Sequence, residues 1–131
     1  MLFRSRSDNL EQAINYALEK GAVSFCAAGN GGEQSDIYYP AKYEQTVSTG
    51  AVDERLNRAF FTCKGIELDF LAPGSNILST VPNNKYALMS GTSMANPFVV
   101  GCAALLLSYV KARKLDIPLR TASDYIGVLQ K

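Results

Sequence analysis

A chain of 131 residues and 14.2 kDa, 47% of them hydrophobic, is long enough for one core and too short for two ordinary domains. Its 13 Lys+Arg stand against 12 Asp+Glu, which removes nucleic acid and anionic membrane as main partners, because phosphate binding needs an excess of cations. The absence of histidine excludes imidazole metal ligands and any Ser-His or Cys-His couple made within these residues.

The opening stretch, Met1 to Ser7, carries Arg4 and Arg6 but runs into polar Asp8-Asn9 where a signal peptide needs an apolar core, so no export signal is expected. Asp8 is placed to cap a helix in which Leu10, Ala13, Ile14, Ala17 and Leu18 recur at helical spacing, with Glu11 as capping-box partner and Gly21 as the stop. Ala22 to Ala28 is a near-continuous apolar run, which predicts a parallel strand covered on both faces. Gly29 to Asp36 follows as a loop at that strand's carboxyl end, where open α/β sheets place their ligands.

Thr46 to Val52 and Leu68 to Leu71 read as further strands, the second closed by Ala72-Pro73-Gly74. Ile77 to Val81 and Tyr86 to Met89 read as a hairpin around Pro82 to Lys85. Ser93 to about Lys111 is the strongest helix signal: Pro97 fits in a first turn, and Phe98 to Leu107 is apolar on every face, predicting a central, buried helix. The uncharged stretch Met94 to Tyr109 is too short for a membrane span. Ser123 to Gln130 closes the chain as an amphipathic segment after a polar link from Lys111 to Arg120. No domain boundary or repeat interrupts residues 1–131. Cys26, Cys63 and Cys102 are odd in number and lack metal-ligand spacing, which suits free buried thiols in a reducing compartment and predicts a cytoplasmic protein.

Two features carry chemistry. Ala27-Ala28-Gly29-Asn30 follows the apolar strand, and Gly91-Thr92-Ser93-Met94-Ala95-Asn96-Pro97 opens the apolar helix. A serine at a helix amino terminus lies beside unpaired N–H groups and the positive end of the helix dipole, an arrangement that favours a developing oxyanion, and Asn30 is placed to supply a second donor. Taken singly, Ser93 also fits a plain helix cap and Asn30 a turn former. Their joint occurrence is what points to a site.

From about Asp8 to about Lys111 the sequence resembles the carboxyl-terminal half of a subtilisin-like serine protease, in the manner of the intracellular subtilisins. The resemblance is carried by Ala27-Ala28-Gly29-Asn30-Gly31, Tyr39-Pro40-Ala41-Lys42-Tyr43, Gly50-Ala51-Val52, Glu67-Leu68-Asp69, Leu71-Ala72-Pro73-Gly74, Ile77-Leu78-Ser79-Thr80 and Gly91-Thr92-Ser93-Met94-Ala95. It implies an α/β fold, half of a three-layer architecture with a mainly parallel sheet, with residues 112–131 as a carboxyl-terminal extension. It further implies Ser93 as nucleophile, Asn30 and the Ser93 N–H as oxyanion donors, and Ala27, Ala28 and Gly29 as one wall of the P1-binding pocket. The triad Asp and His belong to motifs that do not occur here. Lys42, Lys64, Lys85 and the carboxylates are formal substitutes as base, with no local spacing that brings one to Ser93.

The sequence departs from the pattern in three places. Phe98 stands where the family has a second histidine, and Val100-Gly101-Cys102 replaces smaller residues. Tyr38 stands where the base of the pocket has a small residue, which predicts small P1 side chains. Ala41, Tyr43, Glu67 and Asp69 match a weak cation site of some members, suited to structural Ca²⁺ or Na⁺, although solvated surface carboxylates are the better explanation; no cofactor is otherwise expected. The expected partners are a peptide or protein substrate, with the Asp- and His-bearing half or a second copy as the protein partner. Three functions follow: an endopeptidase half inactive alone, a non-catalytic peptide-binding or regulatory module, or a decayed remnant that folds poorly because it leaves a sheet edge and a helix face bare.

Overall fold

The computed structural model describes residues 4–130; Met1 to Phe3 and Lys131 lie outside the described residues. Helix α1 spans Asp8–Glu19, and its cap is Ser7, one residue before the expected Asp8. Ser7 Oγ accepts from Leu10 N–H at 3.5 Å, which leaves Asp8 inside the first turn beside the positive helix end. Glu11 is then too far along for a capping box and pairs with Arg6 instead, 2.6 Å away.

Strands β1 (Ser24–Ala27), β2 (Thr46–Val52) and β3 (Phe70–Pro73) form a parallel sheet in the order β1-β2-β3. All of β2 is buried, as a central strand covered on both faces requires. By contrast β1 is only half-buried, contrary to the expectation from its apolar run, because it pairs with β2 alone. The expected stop Ala72-Pro73 lies within β3, where Pro73 is tolerated because the only partner recorded for β3 is β2. A separate antiparallel hairpin, β4 (Ile77–Val81) and β5 (Lys85–Met89), turns through Pro82-Asn83-Asn84, with both asparagines at positive φ.

Helix α2 (Thr92–Arg113) crosses the sheet, and a short helix α3 (Ala122–Leu129) with a Thr121/Asp124 capping box completes the described fold. The buried stripe of α2 is Ala95, Val99, Ala103 and Val110, of which Ala95 and Val99 pack with Val47, Ala51 and Ala72 of the sheet. Two expectations for this helix are corrected. Pro97 lies in the second turn, not the first, so it leaves the Ser93 carbonyl without its usual i+4 donor. The remaining perimeter is bare: Leu105 is 73% exposed, Tyr109 56% and Phe98 45%, although all are apolar or amphipathic. Cys102 is exposed with it, whereas Cys63 is buried as expected and Cys26 is half-buried. At 22 residues α2 is long and apolar enough to cross a membrane, so the expectation that it is too short for a span is corrected.

Candidate active site

The carboxyl end of β1 delivers Ala28, Gly29 and Asn30 beside the amino terminus of α2. Gly91 is the residue before α2 and offers no side-chain cap of its own. Asn30 supplies one from across the fold: its Oδ1 accepts from Thr92 N–H at 2.9 Å and from Thr92 Oγ1 at 2.9 Å. The Thr92 hydroxyl, fully buried, accepts in turn from Gly29 N–H at 3.2 Å. One hydroxyl therefore locks the strand end, the asparagine amide and the helix start together, and it fixes the amide with Nδ2 outward.

Close packing explains the glycines here. A Cβ at Gly91 would stand 3.1 Å from Asn30 Nδ2, and one at Gly29, whose φ is +112°, would stand 2.7 Å from the Tyr38 ring. The loop is pinned from below as well. Gly31 N–H donates to the buried Cys63 Sγ at 3.2 Å, Cys63 N–H to Gly29 O at 3.1 Å and Gly32 N–H to Phe61 O at 2.7 Å.

Ser93 is the second residue of α2, so it is not the helix cap, and its exposed side chain lines a cavity of about 270 Å³ with Phe25, Cys26, Ala27, Pro40, Asn96 and Pro97. Among the described residues neither Ser93 Oγ nor Ser93 N–H has a hydrogen-bond partner. A free N–H at the positive end of a 22-residue helix, with the Asn30 amide tied through its Oδ1 to the preceding residue Thr92, brings two donor-bearing groups to one helix start, as an oxyanion needs. The structure thus brings together Ala27, Ala28, Gly29, Asn30 and Ser93. The Tyr38 ring packs against Gly29, and its hydroxyl accepts from Arg4 at 3.2 Å.

No candidate base reaches the serine. Lys42 is held to Asp36 at 3.3 Å, an interaction that raises its pKa and keeps it protonated, and Lys64 is held to Glu33 at 3.1 Å, while Lys85 lies at the far end of the hairpin. Cys26 is equally unsuited, because burial pushes its thiol pKa up to about 11.

The four residues of the expected cation site are engaged elsewhere. Asp69 Oδ2 accepts from Ser48 N–H at 2.7 Å, Glu67 Oε1 lies 3.9 Å from Lys42 Nζ, and the Tyr43 carbonyl accepts from both Thr46 N–H and Thr46 Oγ1, while Ala41 is buried. Among the described residues no group of three or more Cys, Asp or Glu converges as metal ligands. Sequence reasoning missed Thr92 and Cys63 as the residues that set the loop. Thr92 was visible only as a letter in its motif, and Cys63 is separated from Gly31 by 32 positions, which no local pattern reports.

The family follows from comparison with known proteins. The subtilase family model matches residues 2–122, and the chain belongs to that family. Over 107 residues it is 49% identical to subtilisin DY of Bacillus licheniformis, a match covering 79% of this chain and 39% of that protein. It is 52% identical over 99 residues to the thermophilic serine proteinase of Bacillus sp. strain AK1, covering 76% of this chain and 24% of that one. The solved structure of the prenylagaramide maturation protease PagA superposes with a TM-score of 0.78 at 34% identity, over 87% of this chain and 43% of that one. The chain therefore spans well under half the length of these relatives. Their fold and the parallel sheet described above agree, which establishes the α/β subtilisin-like architecture.

Proposed function

We propose that this chain is the nucleophile- and oxyanion-bearing part of a subtilisin-like serine endopeptidase, and that residues 1–131 alone are effectively inactive. In this reading Ser93 Oγ attacks the scissile carbonyl, and Asn30 Nδ2 and the Ser93 N–H stabilise the oxyanion that forms. Ala27, Ala28 and Gly29 wall the pocket for the P1 side chain. The Tyr38 ring shortens that pocket, so the substrate is a peptide or protein with a small P1 residue. The observation that carries the reading is the Asn30–Thr92–Gly29 lock, which presents an amide donor beside a free helix N–H and a serine.

The proton of Ser93 must go to a base, and these residues contain no histidine. The base and its Asp come from the remainder of a subtilase domain, in the same polypeptide or a second one. Removing the triad from subtilisin leaves about 10³- to 10⁴-fold acceleration over water, against a loss of roughly a million-fold in turnover, so the lone part turns over no peptide on a practical timescale. The chemistry takes no cofactor; a structural Ca²⁺ or Na⁺ held by Glu67 and Asp69 would act on stability alone. Three free thiols fit the reducing cytoplasm, where the proposal places the protein.

Hydrolysis of peptide anilides with Ala or Phe at P1 tests this reading, with the chain alone and joined to the Asp- and His-bearing part of a subtilase. The lone chain stays at background. The joined form cleaves the Ala substrate in preference, and Asn30→Ala lowers its kcat by about 100- to 1,000-fold, the loss known for this donor in subtilisin. A joined, folded form that cleaves neither substrate overturns the catalytic reading and leaves a peptide-binding module.

A further inference from the structure

The loop that carries Asn30 rests on residues 61–64, and most of the bonds between the two segments run from main chain to main chain. Gly32 N–H donates to Phe61 O, Cys63 N–H to Gly29 O and Lys64 N–H to Ser35 O, at 2.7–3.1 Å. Such bonds do not depend on which side chain stands at each position. One bond does: Gly31 N–H donates to Cys63 Sγ at 3.2 Å, on the residue next to Asn30. Cys63 therefore holds both neighbours of Asn30, Gly29 through its N–H and Gly31 through its thiol, while Thr92 holds the Asn30 side chain. The thiol is fully buried in a cluster with Ala28, Ile37 and Ala41, and a Cβ at Gly29 would stand 3.0 Å from the sulfur, so the sulfur also fills the space against Gly29.

We propose that Cys63 is a positioning residue of the oxyanion site, holding the main chain on both sides of Asn30 so that Nδ2 keeps its place at the start of α2. The proposal rests on the functional reading above, in which Asn30 Nδ2 stabilises the oxyanion. Glycines on either side of Asn30 leave the loop without side chains of its own to fix its path, so its placement depends on contacts from outside. A thiol suits the task because its long C–S bond and large, polarisable sulfur let it pack against Gly29 and accept from Gly31 N–H at once. Alanine in its place loses both the acceptor and the filling, whereas serine keeps an acceptor on a shorter bond. A misplaced oxyanion donor is felt in the transition state and not in the bound substrate, so the loss falls on kcat and spares KM.

Hydrogen exchange on the natural chain tests the bond itself. Gly31 is exposed, and Cys63 Sγ is the one acceptor for its N–H among the described residues, so its amide should exchange at least about tenfold more slowly than that of Glu33, which has none. Equal rates, after correction for intrinsic differences, overturn the proposal. In the form joined to the Asp- and His-bearing part of a subtilase, Cys63→Ala should lower kcat on the Ala anilide by about tenfold at unchanged KM, a fraction of the roughly 100- to 1,000-fold that the donor itself supplies. Cys63→Ser should recover part of that activity and leave a loss of about threefold. In an Asn30→Ala background neither substitution should lower kcat further, because the group being positioned is gone. Losses that multiply in the double variants overturn the proposal, as does a kcat unchanged by Cys63→Ala in a folded joined form. Where Cys63→Ala does not fold, Cys63→Ser carries the same comparison. A joined form that cleaves neither anilide removes the catalytic reading, and the positioning is then decided by the Asn30 side-chain amide signals of that form in NMR, which Cys63→Ser should shift and which overturn the proposal if they stay in place.

Discussion

The Thr92 hydroxyl has a single proton and uses it on Asn30 Oδ1, while its lone pairs face Gly29 N–H. Replacing it with the isosteric Thr92→Val keeps the packing, strips the amide of a donor and leaves Gly29 N–H buried without a partner. Urea unfolding of the variant is expected to show a loss of about 1–3 kcal/mol; an unchanged midpoint would mean that the lock carries no energy. Asp69 offers a second test. Burial raises its pKa above the ordinary carboxylate range, although Ser48 donates to it. The unfolded carboxyl then loses its proton at lower pH than the folded one. Its stabilising effect is complete below the unfolded pKa and is lost as pH rises through the folded one. Asp69→Asn should therefore gain stability relative to the natural chain as pH climbs through the carboxylate range, and the difference should level off above it. A difference that does not vary with pH would contradict the assignment. Both residues were legible in the sequence only as motif letters, since the partners Gly29 and Ser48 are brought to them by the fold.

At the scale of elements, α2 is divided between a packed stripe and a bare one, and the two should respond oppositely to substitution. Val99→Ala removes buried methyls against the sheet and should cost about 1–3 kcal/mol. Leu105→Glu, at a position 73% exposed, should leave the stability of the lone chain within about 0.5 kcal/mol. Equal losses in thermal or urea unfolding would show that the helix is covered all round. The same division explains what the sequence revealed about the elements. Thr46–Val52 and the hairpin are marked by turn residues and by runs that need no distant partner, and they were read with bounds at or within a residue of those observed. The cap of α1 and the end of β3 were misplaced because adjacent residues, Ser7 beside Asp8 and Ala72 beside Leu71, meet the same local criteria. Burial of β1 and of Cys102 was misread for a different reason: apolar composition reports what a segment was shaped to pack against, and these residues lack that cover.

For the whole molecule, the absence of histidine acquires a structural meaning. The proposed oxyanion donors are brought together from two elements by hydrogen bonds of 2.9–3.2 Å, and the serine lines a cavity with residues of β1. The motifs made Ser93 and Asn30 readable from sequence as candidates, and only the fold shows that Thr92 ties Asn30 to the start of α2 and that Ser93 shares a cavity with Phe25, Cys26 and Ala27. The most direct measurement is labelling with a fluorophosphonate, which reacts with a serine only when a base activates it, followed by mass-spectrometric mapping of the adduct. The account predicts no adduct on the lone chain and a stoichiometric adduct on Ser93 once the base-bearing part is joined, abolished by Ser93→Ala. An adduct on the lone chain, or none on Ser93 in a joined form that folds cooperatively, would contradict it.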